Sequence, residues 1–263
     1  MKKLGLALGS GGALGFAHIG VIKSLRENNV KIDAIAGSSA GAIVGAYYSL
    51  YNRVDSLEKM AMEFVKESPF KLFEISSLTS RDKRAMRIKL FLEEEFRNNK
   101  FSDCKIPFAA VATDLETGEE VIIKRGRLLT AISASMSVPG VFGPEFYWGR
   151  WLVDGGVVNP TPISVAKDMS TDFVLGVDLT EKIKKPLNGP PGIFSTIFRS
   201  IDIMISDVSR FRSAEVKEKM ILYPNFKKTT GDFKEKAVKE YIKVGYESMN
   251  TRIDELKSNL KEK

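Results

Sequence analysis

The chain has 263 residues, 43% hydrophobic and 28% charged, which is the composition of a globular protein with enough length for one large domain. Its single cysteine, Cys104, and single histidine, His18, exclude an intramolecular disulfide and a zinc site built from these residue types. A chain with one cysteine, and so without an internal disulfide, fits a reducing cytoplasm. The formal charge is +7, from 40 basic and 33 acidic side chains, which favours contact with anionic surfaces.

The first element is a predicted buried strand over residues 4–8. Its apolar run is too short for a secretory signal, and no other segment approaches the ~20 apolar residues of a membrane span. The following stretch, "LGSGGALGFAHIG" over residues 8–20, opens a helix whose first N–H groups can hold a phosphate or a developing oxyanion. Gly9, Gly11 and Gly15 lack the spacing of a dinucleotide-binding loop, and no Gly-Lys-Ser/Thr closes a P-loop.

The second predicted strand, over residues 33–37, leads into Gly37-Ser38-Ser39-Ala40-Gly41 and a helix. This is the G-x-S-x-G pattern of a nucleophile elbow, where a serine on a tight strand-to-helix turn exposes its hydroxyl. The spacing selects Ser39 rather than Ser38 as the nucleophile. Its base would usually be histidine. Because His18 lies among small residues on the preceding helix, we expect it to have a packing or hydrogen-bonding role.

A basic cluster, "RDKRAMRIK" over residues 81–89, holds five basic residues and one acidic residue. We interpret it as the solvated face of a helix. The alternative is peripheral contact with an anionic membrane surface, which such a cluster also favours. No nucleic-acid partner is expected.

Apolar runs at residues 106–112 and 173–178 predict two more strands, and helical patterns lie between most of the runs. Apolar strands covered by helices on both faces indicate an α/β fold with three layers, α/β/α, around a mostly parallel sheet. Residues 119–126 predict an antiparallel hairpin partner for the strand at 106–112. Asp114 is expected to brace the turn between them.

A third motif, "WLVDGGVVNPTP" over residues 151–162, places Asp154 at the end of a short apolar run, just before Gly155 and Gly156. The pattern indicates a carboxylate at a strand end beside a tight turn without side chains. An ordinary turn aspartate is the alternative interpretation.

The C-terminal third begins with a break over residues 182–192, which holds three prolines and two glycines. A helix is predicted next, over about 193–212, and a lysine-rich helical pattern starts at about residue 234. The first of these helices carries a stripe of apolar side chains, namely Phe194, Ile197, Ile201, Met204, Val208 and Phe211. Core packing is the ordinary explanation of such a stripe, and a lid or interfacial element near the site is the alternative.

The glycine-rich loop, G-x-S-x-G and Asp-Gly-Gly, in this order, resemble the motifs of the patatin-like phospholipases, bacterial lipid acyl hydrolases related in fold to plant patatin and cytosolic phospholipase A2. Stretches at 112–119 and 134–144 are also similar to the family, so the resemblance covers residues 4 to about 180. The family's loop commonly carries an arginine where this chain has Leu14. The N–H donors survive that change, but a role of the arginine in binding a charged head group does not carry over.

The resemblance implies a serine lipid acyl hydrolase, an esterase or phospholipase A-like enzyme that acts through a Ser/Asp dyad and an acyl-enzyme. Asp154 would activate Ser39, and the N–H groups of Gly11, Gly12 and Ala13 would stabilise the oxyanion. No metal or other cofactor is expected, and the partner is a lipid or another acyl ester. The alternative is a non-catalytic protein whose glycine-rich loop binds a nucleotide or an anionic lipid.

For the domain organisation we expect a single patatin-like domain over residues 1–263. Its motif-bearing core would span about 4–180, and its C-terminal helical region about 193–263. The expected location is the cytoplasm, with peripheral contact at the membrane. The motifs predict no oligomeric state.

Overall fold

The computed structural model describes residues 1–67, 78–180, 191–226 and 233–261, apart from the side chains of residues 67, 78–85 and 194. The strands in these ranges are β1 (Leu4–Leu8), β2 (Ala34–Ser38), β3 (Phe108–Asp114), β4 (Glu120–Ile123), β5 (Glu145–Tyr147), β6 (Arg150–Asp154), β7 (Phe173–Val177) and β8 (Lys219–Leu222). The α-helices are α1 (Ala17–Glu27), α2 (Ala40–Tyr51), α3 (Val54–Glu67), α4 (Leu78–Phe96), α5 (Leu128–Ser135), α6 (Ile163–Lys167), α7 (Ile193–Ala214), α8 (Glu235–Asn250) and α9 (Ile253–Lys261).

The described strands form one sheet in the order β5-β6-β3-β2-β1-β7-β8, with β4 paired to β3. In the part of this order that runs β3-β2-β1-β7-β8, each strand pairs in parallel with the next. In contrast, β4 and β6 pair antiparallel with β3, and β5 pairs antiparallel with β6. The predicted mostly parallel sheet and the antiparallel hairpin after β3 are both confirmed.

Two apolar layers lie on opposite faces of the sheet, because alternate side chains of a strand point to opposite sides. Leu6 and Leu8 of β1 belong to a large cluster that includes side chains of α1, α2 and α8. Ala7 belongs to a second cluster, with Ala36 of β2, Ala109 of β3 and side chains of α6. The sheet therefore lies between two helical layers, and the predicted three-layer architecture is confirmed.

Helix α8 of the C-terminal region packs against α1 through two glycines. A Cβ on Gly20 of α1 would lie 1.8 Å from the carbonyl oxygen of Ile242, and a Cβ on Gly245 would lie 2.0 Å from that of Ala17. Only glycine permits backbones to approach so closely. The predicted helix from about residue 234 is thus present, and it is joined to the helix that follows the glycine-rich loop.

Helix α7 corrects the expectation that its apolar stripe packs in the core. The exposed fractions of Ile197, Met204 and Phe211 are 49%, 57% and 71%. The buried side of the helix carries small polar residues instead, Ser209 and Ser213. Periodicity predicted the helix correctly, but the core interpretation is wrong for these three side chains. The Phe194 side chain and residues 182–190 of the predicted break lie outside the described part.

Helix α4 carries the basic cluster of residues 81–89. Arg87 and Lys89 are exposed, as a solvated helix face requires, and Lys89 pairs with Glu145 at 2.9 Å. The side chains of residues 81–85 lie outside the described part. Among the helices that the structure describes, none is both long and apolar enough to cross a membrane.

Candidate active site

The three sequence motifs meet at one edge of the sheet, where the parallel strands β1, β2 and β3 end. Leu8 at the end of β1 pairs with Gly37, and Ser38 at the end of β2 pairs with Val111. Asp154 at the end of the antiparallel β6 pairs with Ala112, one position further along β3. The carboxyl edge of a parallel sheet is where α/β proteins place their ligand sites.

Ser39 occupies the turn between β2 and α2 in a strained conformation. Its φ is 55° and its ψ is −121°, a region that residues other than glycine rarely adopt. The turn brings α2 so close to β1 that a Cβ on Gly41 would lie 2.0 Å from the carbonyl oxygen of Leu8. Ser39 N–H donates to Ser135 Oγ at 3.0 Å. This is the geometry of a nucleophile elbow, with the backbone of the serine held by a side chain of α5.

Asp154 accepts the hydroxyl hydrogen bond of Ser39. The distance from Ser39 Oγ to Asp154 Oδ2 is 2.6 Å, and the other carboxylate oxygen accepts Gly156 N–H at 2.7 Å. Both Ser39 and Asp154 are buried. The backbone of Asp154 is also fixed, because its N–H donates to the Ser137 carbonyl and its carbonyl accepts Thr113 Oγ1. The aspartate is therefore held at both its backbone and its carboxylate.

Burial raises the pKa of Asp154 from 3.8 to about 6, against the hydrogen bonds from Ser39 and Gly156, which lower it. Desolvation disfavours the charged carboxylate, whereas donated hydrogen bonds favour it. A carboxylate with this pKa is still mainly ionised at neutral pH, yet it is a stronger base than an exposed aspartate.

The glycine-rich loop lies against both the elbow and the Asp-Gly-Gly turn. A Cβ on Gly15 would lie 2.4 Å from the Cβ of Ala40, the residue after the nucleophile, and a Cβ on Gly156 would lie 2.5 Å from Ser10 Oγ. Ser10 Oγ in turn donates to Ser38 Oγ at 3.2 Å. The three motifs are thus in direct contact, as their chemistry would require.

Gly11, Gly12 and Ala13 stand at the start of the 3-10 turn Gly12–Phe16, which continues into α1. The first N–H groups of a helical segment have no partner within it and are free to donate to an anion. Gly12 has a φ of +53°, and a Cβ placed there would meet nothing within 4 Å. The loop is therefore open at Gly12, whereas Gly11 lies against Leu179.

His18 is fully buried, and its Nε2 donates to the carbonyl oxygen of Gly9 at 2.7 Å. Its Nδ1 has no hydrogen-bond partner among the described residues. Burial lowers its pKa to about 4, although the bond to Gly9 acts in the opposite direction. His18 is therefore neutral at physiological pH and supports the glycine-rich loop, while the hydroxyl of Ser39 is bonded to Asp154.

Asp114 braces the turn after β3, as predicted. Its Oδ1 accepts N–H groups of Glu116 and Thr117, and its Oδ2 lies 3.2 Å from Arg150 Nη1. The hydrogen bond from Glu116 is the main reason why the pKa of Asp114 is lowered. These bonds are those of a turn residue.

Two contributors were not singled out from the sequence. Ser135, which accepts Ser39 N–H, lies within the family-like stretch 134–144, but nothing distinguishes it there from the neighbouring serines. Ser10 lies in the glycine-rich loop, where the prediction concerned the backbone N–H groups of Gly11, Gly12 and Ala13 and no side chain. Within the described residues, no group of three His, Cys, Asp or Glu side chains could hold a metal ion.

A family model described as "Patatin-like phospholipase" matches residues 6–167, and this chain belongs to that family. An uncharacterized NTE family protein of Mycobacterium tuberculosis is 38% identical over 177 residues, 67% of this chain and 49% of the relative. The mouse patatin-like phospholipase domain-containing protein 6 is 30% identical over 181 residues, 67% of this chain and 13% of that protein.

The chain thus spans about half the length of the mycobacterial relative, and much less of the mouse protein. Among solved structures, VipD from Legionella pneumophila is similar with a TM-score of 0.57 and 11% identity. That similarity covers 97% of this chain and 67% of VipD, and it shows a shared fold.

Proposed function

We propose that this chain is a serine acyl hydrolase that cleaves the acyl esters of lipids. One observation carries the proposal. Ser39, on a strained elbow, donates its hydroxyl to the buried Asp154 at 2.6 Å. The membership of the chain in the patatin-like phospholipase family supports lipid esters as the substrate class.

In the proposed acylation step, Ser39 Oγ attacks the carbonyl carbon of the ester while Asp154 Oδ2 takes its proton. The carbonyl electron pair moves to oxygen, and the oxyanion accepts N–H groups of Gly11, Gly12 and Ala13. When the tetrahedral intermediate collapses, the bond from carbon to the leaving oxygen breaks. Asp154 then returns the proton to the leaving alcohol.

Deacylation repeats these steps with water in place of the serine. Asp154 takes a proton from the attacking water, the oxyanion forms again in the same place, and Ser39 recovers its proton as the free acid departs. The raised pKa of Asp154 supports this double role, because a group that titrates near neutral pH both accepts and releases a proton readily.

We further propose that the region after residue 193 belongs to the same domain as the motif-bearing core. The support is the contact of α8 with α1, where Gly20 and Gly245 allow the two backbones to touch. The glycine-rich loop precedes α1 directly, so α8 stabilises the helix that holds the loop.

Turnover of p-nitrophenyl esters of increasing chain length, beside phospholipids, tests the proposed function. We expect hydrolysis by the wild type, its loss in Ser39→Ala and Asp154→Asn, and a double variant hardly worse than either single one. Ser49→Ala is the matched control, since Ser49 lies on the same helix, α2, and its hydroxyl has no partner in the described structure. No turnover of any ester by the folded wild type would favour a binding protein instead.

A further inference from the structure

An exposed aromatic hairpin extends beyond the edge of the sheet that carries Ser39. Leu152 of β6 pairs with Asp114, the last residue of β3, and β6 runs antiparallel to β3. The residues before Leu152 therefore continue past the ends of the parallel strands. Their partners come from β5, with Phe146 opposite Trp151, and the hairpin turns at Trp148 and Gly149.

The aromatic side chains of this hairpin lie largely in solvent. The exposed fractions of Phe146, Trp148 and Trp151 are 58%, 57% and 44%. The rings of Phe146 and Trp151 are 4.9 Å apart, and the Arg125 guanidinium lies 4.7 Å from the ring of Trp148. Leu115, which is 57% exposed, donates its N–H to the Trp151 carbonyl and extends the apolar surface. Exposed aromatic side chains gathered on one hairpin are typical of an interaction surface.

The N-terminal part of α7 extends past the same edge. Ser209 Oγ donates to Asp178 Oδ2 at 2.7 Å, and Asp178 directly follows the last residue of β7. From Ser209 the chain continues to Lys219, which pairs with Val174 near the opposite edge. Residues 193–208, a helical stretch of roughly 24 Å at 1.5 Å per residue, consequently lie outside the strand ends. Their Phe198 reaches the loop before β5, where a Cβ on Gly140 would lie 3.4 Å from its ring. Their exposed apolar side chains are Ile193, Ile197, Ile203 and Met204.

Helix α4 supplies basic charge beside the hairpin. Lys89 pairs with Glu145, the first residue of β5. Since Phe96 at the end of α4 is buried in the core, the residues before Lys89 continue past the edge. There Met86 and Arg87 are exposed, and Leu90, directly after Lys89, is exposed as well.

From these three elements we infer a docking edge for an anionic lipid bilayer, formed by the β5–β6 hairpin and by the N-terminal parts of α7 and α4. The inference rests on the proposed function, because it describes how a lipid hydrolase meets its substrate. Tryptophan favours the interface of a bilayer, and basic residues are attracted to anionic head groups. Of the acidic residues beside the hairpin, Glu145 pairs with Lys89 and Glu119 with Arg150, whereas Glu116, next to Leu115, is exposed.

A bilayer suits the docking edge better than a compact protein partner does. Its apolar side chains lie on three separate elements, the hairpin, α7 and α4, which a fluid surface can contact at the same time. These elements surround the side of the sheet where Ser39 lies. Docking in this orientation would present the catalytic edge to the membrane. Interfacial binding scales with the apolar area that is buried and with the charge of the lipid.

The intrinsic fluorescence of the protein tests this orientation directly, because the chain has 2 tryptophans, and both, Trp148 and Trp151, lie on the hairpin. We would use Ser39→Ala, so that vesicle lipids stay intact, and vesicles of phosphatidylcholine with and without phosphatidylglycerol. We expect the emission to move to shorter wavelength with the anionic vesicles, less so with phosphatidylcholine alone, and quenching by brominated acyl chains. Binding without a change in emission would overturn the proposed orientation.

Two phenylalanines make a matched pair for vesicle cosedimentation. Phe146→Ser should weaken binding by about tenfold, the loss expected for one buried aromatic side chain. Phe211→Ser removes a ring that is more exposed, 71% against 58%, and that follows Ser209 in the part of α7 leading towards the opposite edge, so it should leave binding unchanged. Equal losses in the two variants, or no binding by the parent protein, would contradict the inference. A concentration-dependent emission change without lipid would instead identify a second copy as the occupant.

This test stays distinct from that of the proposed function. Vesicle binding is measured on a variant that cannot turn over, whereas ester turnover is measured without vesicles. A protein that hydrolyses soluble esters but does not bind vesicles would refute the docking edge alone. A protein that binds vesicles but hydrolyses nothing would refute the proposed function alone.

Discussion

Replacing Asp154 by asparagine should abolish turnover and, at neutral and alkaline pH, stabilise the fold. Burial raises the pKa of Asp154 from 3.8 to about 6, so ionisation of the folded protein is disfavoured by about 3 kcal/mol. Because the folded pKa is the higher one, the stability that the protonated carboxyl contributes is fully present below 3.8. It is lost as the pH rises through about 6. Asparagine is isosteric with the neutral acid and avoids that loss.

The assay compares the free energies of unfolding in urea of wild type and Asp154→Asn at two pH values. Between about pH 4 and about pH 8, the stability of the variant relative to wild type should rise by about 2.5 kcal/mol. The comparison cancels any fixed difference in hydrogen bonding, since that difference is the same at both pH values.

Asp114→Asn is the control, because hydrogen bonds lower the pKa of Asp114. The stability from that carboxylate is present above the unfolded value of 3.8 and is lost only at lower pH, so this variant should gain nothing over the same range. A pH-independent effect of Asp154→Asn would refute the raised pKa. Without the raised pKa, there would be no physical reason why an aspartate alone serves as the base.

Further predictions concern the rate and the support of the site. The kcat/KM for a soluble ester should fall as the pH drops through about 6, as Asp154 becomes protonated, and a profile flat down to pH 4 would exclude this base. His18→Asn should lower the melting temperature, because His18 bonds Gly9, and it should leave activity far above that of Ser39→Ala. Its activity should fall at low pH as that of the wild type does, because His18 is still neutral at the pH where Asp154 titrates. Ser135→Ala leaves Ser39 N–H without its acceptor and should cost about 1–3 kcal/mol of stability, measured by urea unfolding. An unchanged free energy of unfolding in Ser135→Ala would show that water replaces the hydroxyl.

The inner parallel strands β1, β2 and β7 could be predicted because they are buried on both faces, so they occur in the sequence as continuous apolar runs. The short edge strands β5 and β8 could not be predicted. The three residues of β5 are all partly or fully exposed, and the four residues of β8 alternate between partly exposed and buried. For α7, periodicity indicated an amphipathic helix. Periodicity carries no information about whether anything covers the apolar side, and the structure leaves Ile197, Met204 and Phe211 of that side exposed.

The chemistry of the candidate site could be predicted where it depends on local geometry. G-x-S-x-G imposes a turn, so that motif alone selects Ser39. Asp-Gly-Gly also fits an ordinary turn aspartate, and Asp154 is selected by the resemblance of the three motifs to the patatin-like phospholipases. Ser135 could not, because its contact with Ser39 joins residues 96 positions apart and depends on how α5 packs. The pKa values of Asp154 and His18 likewise follow from burial, which no local pattern contains.

The most direct test of the Ser39–Asp154 dyad is reaction with a fluorophosphonate, followed by mass spectrometry of the modified peptide. We predict that the wild type is modified at Ser39 and at no other serine. Asp154→Asn, while folded, should react far more slowly, because the hydroxyl loses the base that accepts its proton. Modification elsewhere, or equally fast modification of Asp154→Asn, would contradict the account.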